Sequence, residues 1–274
     1  MKIKLLTLNC WEFTLFDKIV DFVNLYKPDI ITFQEASTIP ILEENKSLLD
    51  KEVDNYILEF AKATNYKFIF SPSWGVIDKN GIKQGKGLVI YYQENSNLKL
   101  IDYFAVDFKN YLEYTKYLPI DEEPLRKALS KMERYPASWR KPLNYAVALF
   151  EIDGKYLKVM TTQLCISYFC TDTLQRTQQA QEISEYIKSS SDIPTVFAGD
   201  FNITADSESM RIICNSGLNL ETLNLTNTLD ESIHPIFDPA RVMKGSANTG
   251  YGVDHILSKN IVNTNLTTFQ KAGI

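Results

Sequence analysis

The stretch Asn144–Leu164, "NYAVALFEIDGKYLKVMTTQL", decides the architecture. Two runs rich in Val, Tyr, Leu and Phe flank Asp153-Gly154, a dipeptide that favours the tight-turn geometry matching the twist of paired strands. It reads as an antiparallel hairpin. Downstream, a helix is expected with Asp172 and Gln175 as a capping pair and Leu174, Ala180, Ile183 and Ile187 turned inward. "IPTVFAGDFN" (193–202) follows as a buried strand with a polar tip, then a short helix over Ser207–Asn215, the strand "GVDHIL" (252–257) and a final strand-like piece.

Upstream of the hairpin lie strand candidates near Leu98–Phe104, at "GLVIYY" (87–92) and at "YKFIFS" (66–71). A helix over Leu49–Thr64 is expected from the spacing of Val53, Tyr56, Ile57, Phe60 and Ala61. "DIITFQE" (29–35) reads as another buried strand. Before it, Phe16, Ile19, Val20, Val23 and Tyr26 repeat at helical spacing as far as Pro28, with Thr14 and Asp17 as the expected capping pair. The apolar "KIKLLTL" (2–8) opens the chain as a strand. Strands and helices alternate, which makes this an α/β protein. The segment 106–142 breaks the alternation with four prolines, many aromatics and a basic run, and is expected to be a surface insertion in a single domain of 274 residues.

Composition excludes several classes. With 45% hydrophobic and 12% aromatic residues the chain has material for a large core and lacks the signature of disorder. "MKIKLLTLNCWEF" has no continuous apolar core, so it does not read as a signal peptide, and no run approaches membrane-spanning length. Cys10, Cys165, Cys170 and Cys214 lack close pairing, which suits reduced thiols in the cytoplasm better than a disulfide framework or a zinc knuckle. A net charge of −5 gives no global attraction to nucleic acid or anionic lipid.

The chemistry lies at the strand tips. Asn9, Glu35, Asp200 with Asn202, and Asp254 each end an apolar run. Strand ends along one edge of a layered fold converge on a cleft. Carboxylates and amides are hard oxygen donors, a set that suits Mg2+ and does not suit zinc.

In order along the chain, "TLNCW", "FQE", Arg176-x-x-Gln179, "GDFN" and "VDHIL" resemble the endonuclease/exonuclease/phosphatase superfamily of metal-dependent phosphoester hydrolases. "FQE" and "GDFN" are the specific motifs. The resemblance implies a four-layer α/β sandwich, two mainly antiparallel sheets face to face with helices outside. It also implies a metal ligand at Glu35, and Asn9 beside it on metal, metal-bound water or phosphate. Asp200 would orient or deprotonate the attacking water, and Asn202 would hydrogen-bond phosphate. The implied cofactor is Mg2+, with Mn2+ as a substitute. Nucleic acid, phospholipid headgroups at a membrane surface and small phosphoesters compete as substrates.

Two features depart from the family pattern. Where the family usually carries a histidine or tyrosine, "VMTTQL" places Gln163, which donates a hydrogen bond to phosphate but moves no proton. That departure motivates the alternative, a catalytically impaired member serving as a binding module. The basic stretch Arg126–Lys141 has six Lys or Arg against one acidic residue, with Tyr135 and Trp139 interleaved. Arg134, Arg140 and Lys141 within it are expected to contact a polyanionic substrate or a headgroup layer.

The second histidine, His234, matches no motif and is assigned a surface or packing role. Asp254 and His255 complete the candidate catalytic set. "GVDHILS" matches the penultimate Ile-Asp-His-Ile type of family motif better than the terminal Ser-Asp-His. On that reading His255 is not the phosphate-contacting histidine, Asp254 is a carboxylate that would orient one, and the strand bearing the terminal motif is expected to be missing after "IVNTNLTTFQKAGI".

Overall fold

The Asp153-Gly154 turn joins β6 (Asn144–Ile152) to β7 (Lys155–Thr162), with both turn residues at positive φ, 50° and 74°. That is the backbone a two-residue hairpin turn requires, and glycine supplies half of it without steric penalty. The structure, a computed structural model, describes residues 2–38, 53–77, 83–94, 97–109, 143–165, 172–224 and 254–262. The expected insertion from 110 onwards, His234, Cys170 and the final strand-like piece after 262 lie outside the described residues.

Around the hairpin a six-stranded sheet runs β5-β6-β7-β8-β10-β9, with β5 Leu98–Asp107, β8 Thr195–Asp200, β9 Asn219–Leu220 and β10 Asp254–Lys259. A four-stranded sheet runs β1-β2-β4-β3, with β1 Leu5–Asn9, β2 Ile30–Ser37, β3 Lys67–Ile77 and β4 Lys83–Tyr92. Each sheet contains one parallel pair, β1 with β2 and β7 with β8, and is otherwise antiparallel. Each parallel pair spans a crossover helix, α1 (Phe16–Tyr26) and α3 (Leu174–Ser189), because parallel neighbours need a long return.

Three apolar layers hold these elements together. Under α1 and α2 (Tyr56–Thr64), Phe16, Val23, Phe60, Phe33 and Tyr91 pack on the outer face of the small sheet. Between the sheets lie Ile30, Leu88, Ile90, Ala148, Phe150 and Val159. Under α3 and α4 (Glu208–Cys214), Met160, Ile183, Phe197, Ile213 and Leu257 cover the large sheet. Helix, sheet, sheet, helix is the expected four-layer sandwich. It explains why "LVIYY" in β4 is uniformly apolar. Val89 and Tyr91 face the helices while Leu88, Ile90 and Tyr92 face the other sheet. Full burial of such side chains contributes about 1.5–3 kcal/mol each.

Local expectations needed correction where tertiary neighbours intervened. Leu15, not Thr14, is the N-cap of α1 and makes no capping bond, while the Thr14 hydroxyl donates back to the Trp11 carbonyl. Residues 53–55 are not helical, and α2 starts at Tyr56, where the Asn55 side chain accepts from the Leu58 N–H. Thr173 caps α3. Asp172 instead accepts from the Glu208 and Ser209 N–H groups at the start of α4, so it ties two helices rather than capping its own. Leu174 is 61% exposed and contributes nothing to the core. β5 continues to Asp107, past the expected start of the insertion. Cys10, Cys165 and Cys214 are free thiols, and among the described residues no helix is long and apolar enough to cross a membrane.

Candidate active site

Four strand ends from both sheets meet at one edge of the sandwich. Asn9 ends β1, and a bulge in β2 presents Glu35. Between Phe33, opposite Val89, and Ala36, opposite Gly87, β2 spends two residues against one on β4. Glu35 takes φ 54°, in the left-handed region that a glutamate seldom adopts. The bulge re-aims the side chain into the cleft.

From the other sheet come Gln163, just past β7, and Asp200, at the end of β8, joined by a parallel bridge. Their approach depends on Gly199. A Cβ there would stand 2.3 Å from the Thr162 carbonyl oxygen, so only glycine lets the two strands close.

Hydrogen bonds then link the sheets. The Asn9 amide nitrogen donates to Asp200 Oδ2 at 2.9 Å and to Glu35 Oε1 at 3.2 Å, and its oxygen accepts from the Trp11 N–H at 3.0 Å. Asn9 therefore offers the cleft donors, and its one oxygen is turned to backbone. Gln163 Nε2 donates to Glu35 Oε1 at 2.7 Å and Asp200 Oδ2 at 3.4 Å. Asn202, at φ 53°, donates its backbone N–H to Asp200 Oδ1 at 3.0 Å and its side-chain amide to the Leu164 carbonyl at 2.9 Å. Arg176, fully buried, and Gln179 hold both backbone groups of Cys165, two residues on from Gln163: Arg176 donates to the Cys165 carbonyl and Gln179 accepts the Cys165 N–H. The motif Arg176-x-x-Gln179 is thus a clamp on the segment that carries Gln163.

Sequence reading missed two members, Lys86 and Glu12. Lys86 Nζ lies 2.6 Å from Glu35 Oε2 and 3.2 Å from Glu12 Oε1, and Glu12 is only 2% exposed. Gly87 beside Lys86 is obligatory, because a Cβ would fall 2.2 Å from the Ser71 carbonyl oxygen. A lysine between two glycines at the start of an apolar strand, and a glutamate three residues after Asn9, were the available signals.

These contacts split the two central carboxylates. Burial opposes ionisation of Glu35. The charge of Lys86 and hydrogen bonds from Lys86, Gln163 and Asn9 outweigh it and hold Glu35 below the ordinary carboxylate value. Burial and then the charge of Glu35 push Asp200 up to about 6. One carboxylate stays ionised while its neighbour is poised near neutrality, an arrangement that separates a charge holder from a proton acceptor. Burial against two strong partners leaves Lys86 above its ordinary value, because the carboxylates win.

Asp254 and His255 part company. Asp254 pairs across from Asp200 in the β8–β10 ladder and keeps solvent access. Desolvation in the cleft, and then repulsion from Asp200 and Glu35, push it well above its ordinary value. His255, the next residue, points to the opposite face, as strand alternation demands. Its ring is buried at 1% exposure, with Nε2 2.8 Å from the Ile203 carbonyl, Nδ1 3.0 Å from Thr222 Oγ1 and its centroid 5.8 Å from that of Phe201. Burial lowers its proton affinity. The structure takes His255 out of the cluster and makes it a packing residue of the helix side. Arg134, Arg140 and Lys141 lie outside the described residues.

The donor set fits a hard divalent cation in kind. Glu35, Asp200 and Asp254 repel one another, and Mg2+ binds through one or two carboxylates while keeping several waters. Among the described residues no group of three or more His, Cys, Asp or Glu side chains is placed to hold a metal ion.

Residues 6–265 match the Endonuclease/Exonuclease/phosphatase family, and the chain belongs to it. No curated protein sequence matches. Among solved structures the fold is similar to a mannosyl-6-phosphatase of Bacteroides thetaiotaomicron, 14% identical over 94% of this chain and 86% of that one, TM-score 0.57. It is also similar to D. rerio TDP2 complexed with a single-strand DNA product, 16% identical over 94% and 83%, TM-score 0.52. The human Nocturnin catalytic domain with bound sulfate is a third, 13% identical over 94% and 82%, TM-score 0.52. Members of this family are phosphoester hydrolases.

Proposed function

We propose that this chain hydrolyses phosphoesters with Mg2+, or Mn2+ in its place, at the cleft formed by Asn9, Glu35, Gln163, Asp200 and Asn202. The observation that carries the reading is the direct bonding of Asn9 and Gln163 to both Glu35 and Asp200, which brings residues from two sheets to one point. Glu35 would hold the cation, which would supply charge neutralisation on the phosphoryl oxygens and orientation of the substrate. Asp200 accepts a proton from the attacking water. Its carboxylate is fixed by the Asn202 N–H, so the free lone pairs point in a set direction. Asn9 and Gln163 hold Glu35 and Asp200 with their amide hydrogens, and once a cation took over those carboxylates the hydrogens would be released to phosphate oxygens as charge builds in the transition state. Asn202 keeps one amide hydrogen on Leu164 and has a second for phosphate. Ionisation of Asp254, which desolvation and the neighbouring carboxylates oppose, would be favoured by a cation at the cleft.

Small phosphoesters, phospholipid headgroups at a membrane surface and nucleic acid all present this group. The net charge of −5 favours a small or locally bound substrate over a long polyanion. Free thiols at Cys10, Cys165 and Cys214 support a reducing, cytoplasmic setting. The test is turnover of a chromogenic phosphodiester and monoester with Mg2+, against EDTA, for wild type and Glu35→Ala. A loss of at least about 100-fold in the variant is expected, and equal activity overturns the assignment. The same assay with duplex DNA, single-stranded RNA, sphingomyelin and inositol phosphates names the substrate class.

A further inference from the structure

The hydrolytic reading leaves Lys86 without a task, although its ammonium sits on the very carboxylate assigned to the cation. Both oxygens of Glu35 are engaged, but unequally. Oε1 accepts from the neutral amides of Gln163 and Asn9, and Oε2 accepts from the ammonium at 2.6 Å. A divalent ion approaching Glu35 thus meets a resident positive charge. The second anchor of that charge is Glu12, 3.2 Å away, 2% exposed and held at φ 58° in the Trp11–Phe13 turn. A buried carboxylate so placed keeps the ammonium paired when Glu35 is lost to it.

We infer that Lys86 and the divalent cation compete for Glu35: the ammonium holds the carboxylate when the ion is absent and withdraws to Glu12 when the ion binds. The inference rests on Glu35 as the ion's ligand. Three consequences follow from charge alone. Lys86 prevents the buried Glu12 and the part-buried Glu35 from facing each other uncompensated, it keeps the Glu35 carboxylate aimed before the ion arrives, and it weakens the ion's affinity. The site is then preformed at the expense of tight binding.

The experiment measures Mn2+ binding by electron paramagnetic resonance and Mg2+ binding by calorimetry for wild type and Lys86→Met. Removing a unit charge at contact distance should tighten both by at least about tenfold. Adding Glu35→Gln to Lys86→Met should cancel the gain. For the case in which Lys86→Met fails to fold, the wild-type protein with 15N-labelled lysine gives a second readout. The ion-paired ammonium signal, assigned with Lys86→Arg, should shift on Mg2+ titration with the midpoint of Mg2+ binding. Equal or weaker metal binding in Lys86→Met, or a lysine signal unmoved at saturating Mg2+, overturns the competition. If either occurs while Glu35→Ala still abolishes Mg2+-dependent turnover, the hydrolase reading stands alone. If neither protein binds a divalent ion, both fall.

Discussion

Replacing Asp200 by Asn should stabilise the protein while abolishing its activity. Burial and the charge of Glu35 raise Asp200 from 3.8 to about 6. That rise corresponds to about 3 kcal/mol against the charged form, and Asp200 is 4% exposed, so little of it is screened by water. Asn carries no charge but keeps one acceptor for the Asn202 N–H. Its NH2 then faces the donors of Asn9 and Gln163, which returns about 1–2 kcal/mol of the gain. The net expectation at pH 7.5 is about 1–2 kcal/mol of added stability, or about 2–6 °C in Tm for a chain of this size. The sign with pH follows from the direction of the shift. A carboxyl with a raised folded value favours the fold fully below pH 3.8 and loses that contribution as pH rises through about 6. The advantage of the variant should therefore be present above pH 6 and vanish near pH 4. Thermal and urea unfolding in EDTA at both pH values measure it. A variant less stable than wild type at pH 7.5, or equally advantaged at both pH values, refutes the electrostatic account of the cleft.

Other variants separate scaffold from chemistry. His255→Ala should lose about 2–4 kcal/mol of stability through the cavity and the two abandoned hydrogen bonds, yet keep kcat on a phosphodiester within about threefold. A folded variant with kcat reduced about 100-fold would return His255 to the cleft. Gly199→Ala should fail to accumulate as folded protein, since its Cβ would overlap the Thr162 carbonyl at 2.3 Å. A soluble variant of normal Tm would show that β7 and β8 can part there. Replacing Arg134, Arg140 and Lys141 together by Ala should weaken binding of a polyanion and flatten its salt dependence, because each lost phosphate contact removes released counterions. An unchanged slope assigns the basic stretch to structure.

What the sequence by itself determined is the order of elements and the polar residues at their ends. The apolar runs in Ile30–Phe33, broken only by Thr32, and in Leu88–Tyr92 imply burial on both faces, and Asp153-Gly154 fixes the hairpin register, because both effects are local and periodic. Asn9, Glu35, Gln163, Asp200 and Asn202 were legible as polar residues at strand ends, where any one alone fits a cap or a turn as well, so only their coincidence and the family resemblance singled them out. Helix starts were less legible. Asp172 satisfies the N–H groups of α4 rather than its own helix, a choice made by packing between segments 36 residues apart. The separation of Asp254 from His255 needed the ladder to show which of two adjacent side chains faces the cleft. Lys86 and Glu12 needed the tertiary structure altogether. The contacts of Lys86 with Glu12 and with Glu35 span 74 and 51 residues of chain, and the second turns on the bulge in β2, where close sheet packing imposes a backbone at Glu35 that its own propensity resists.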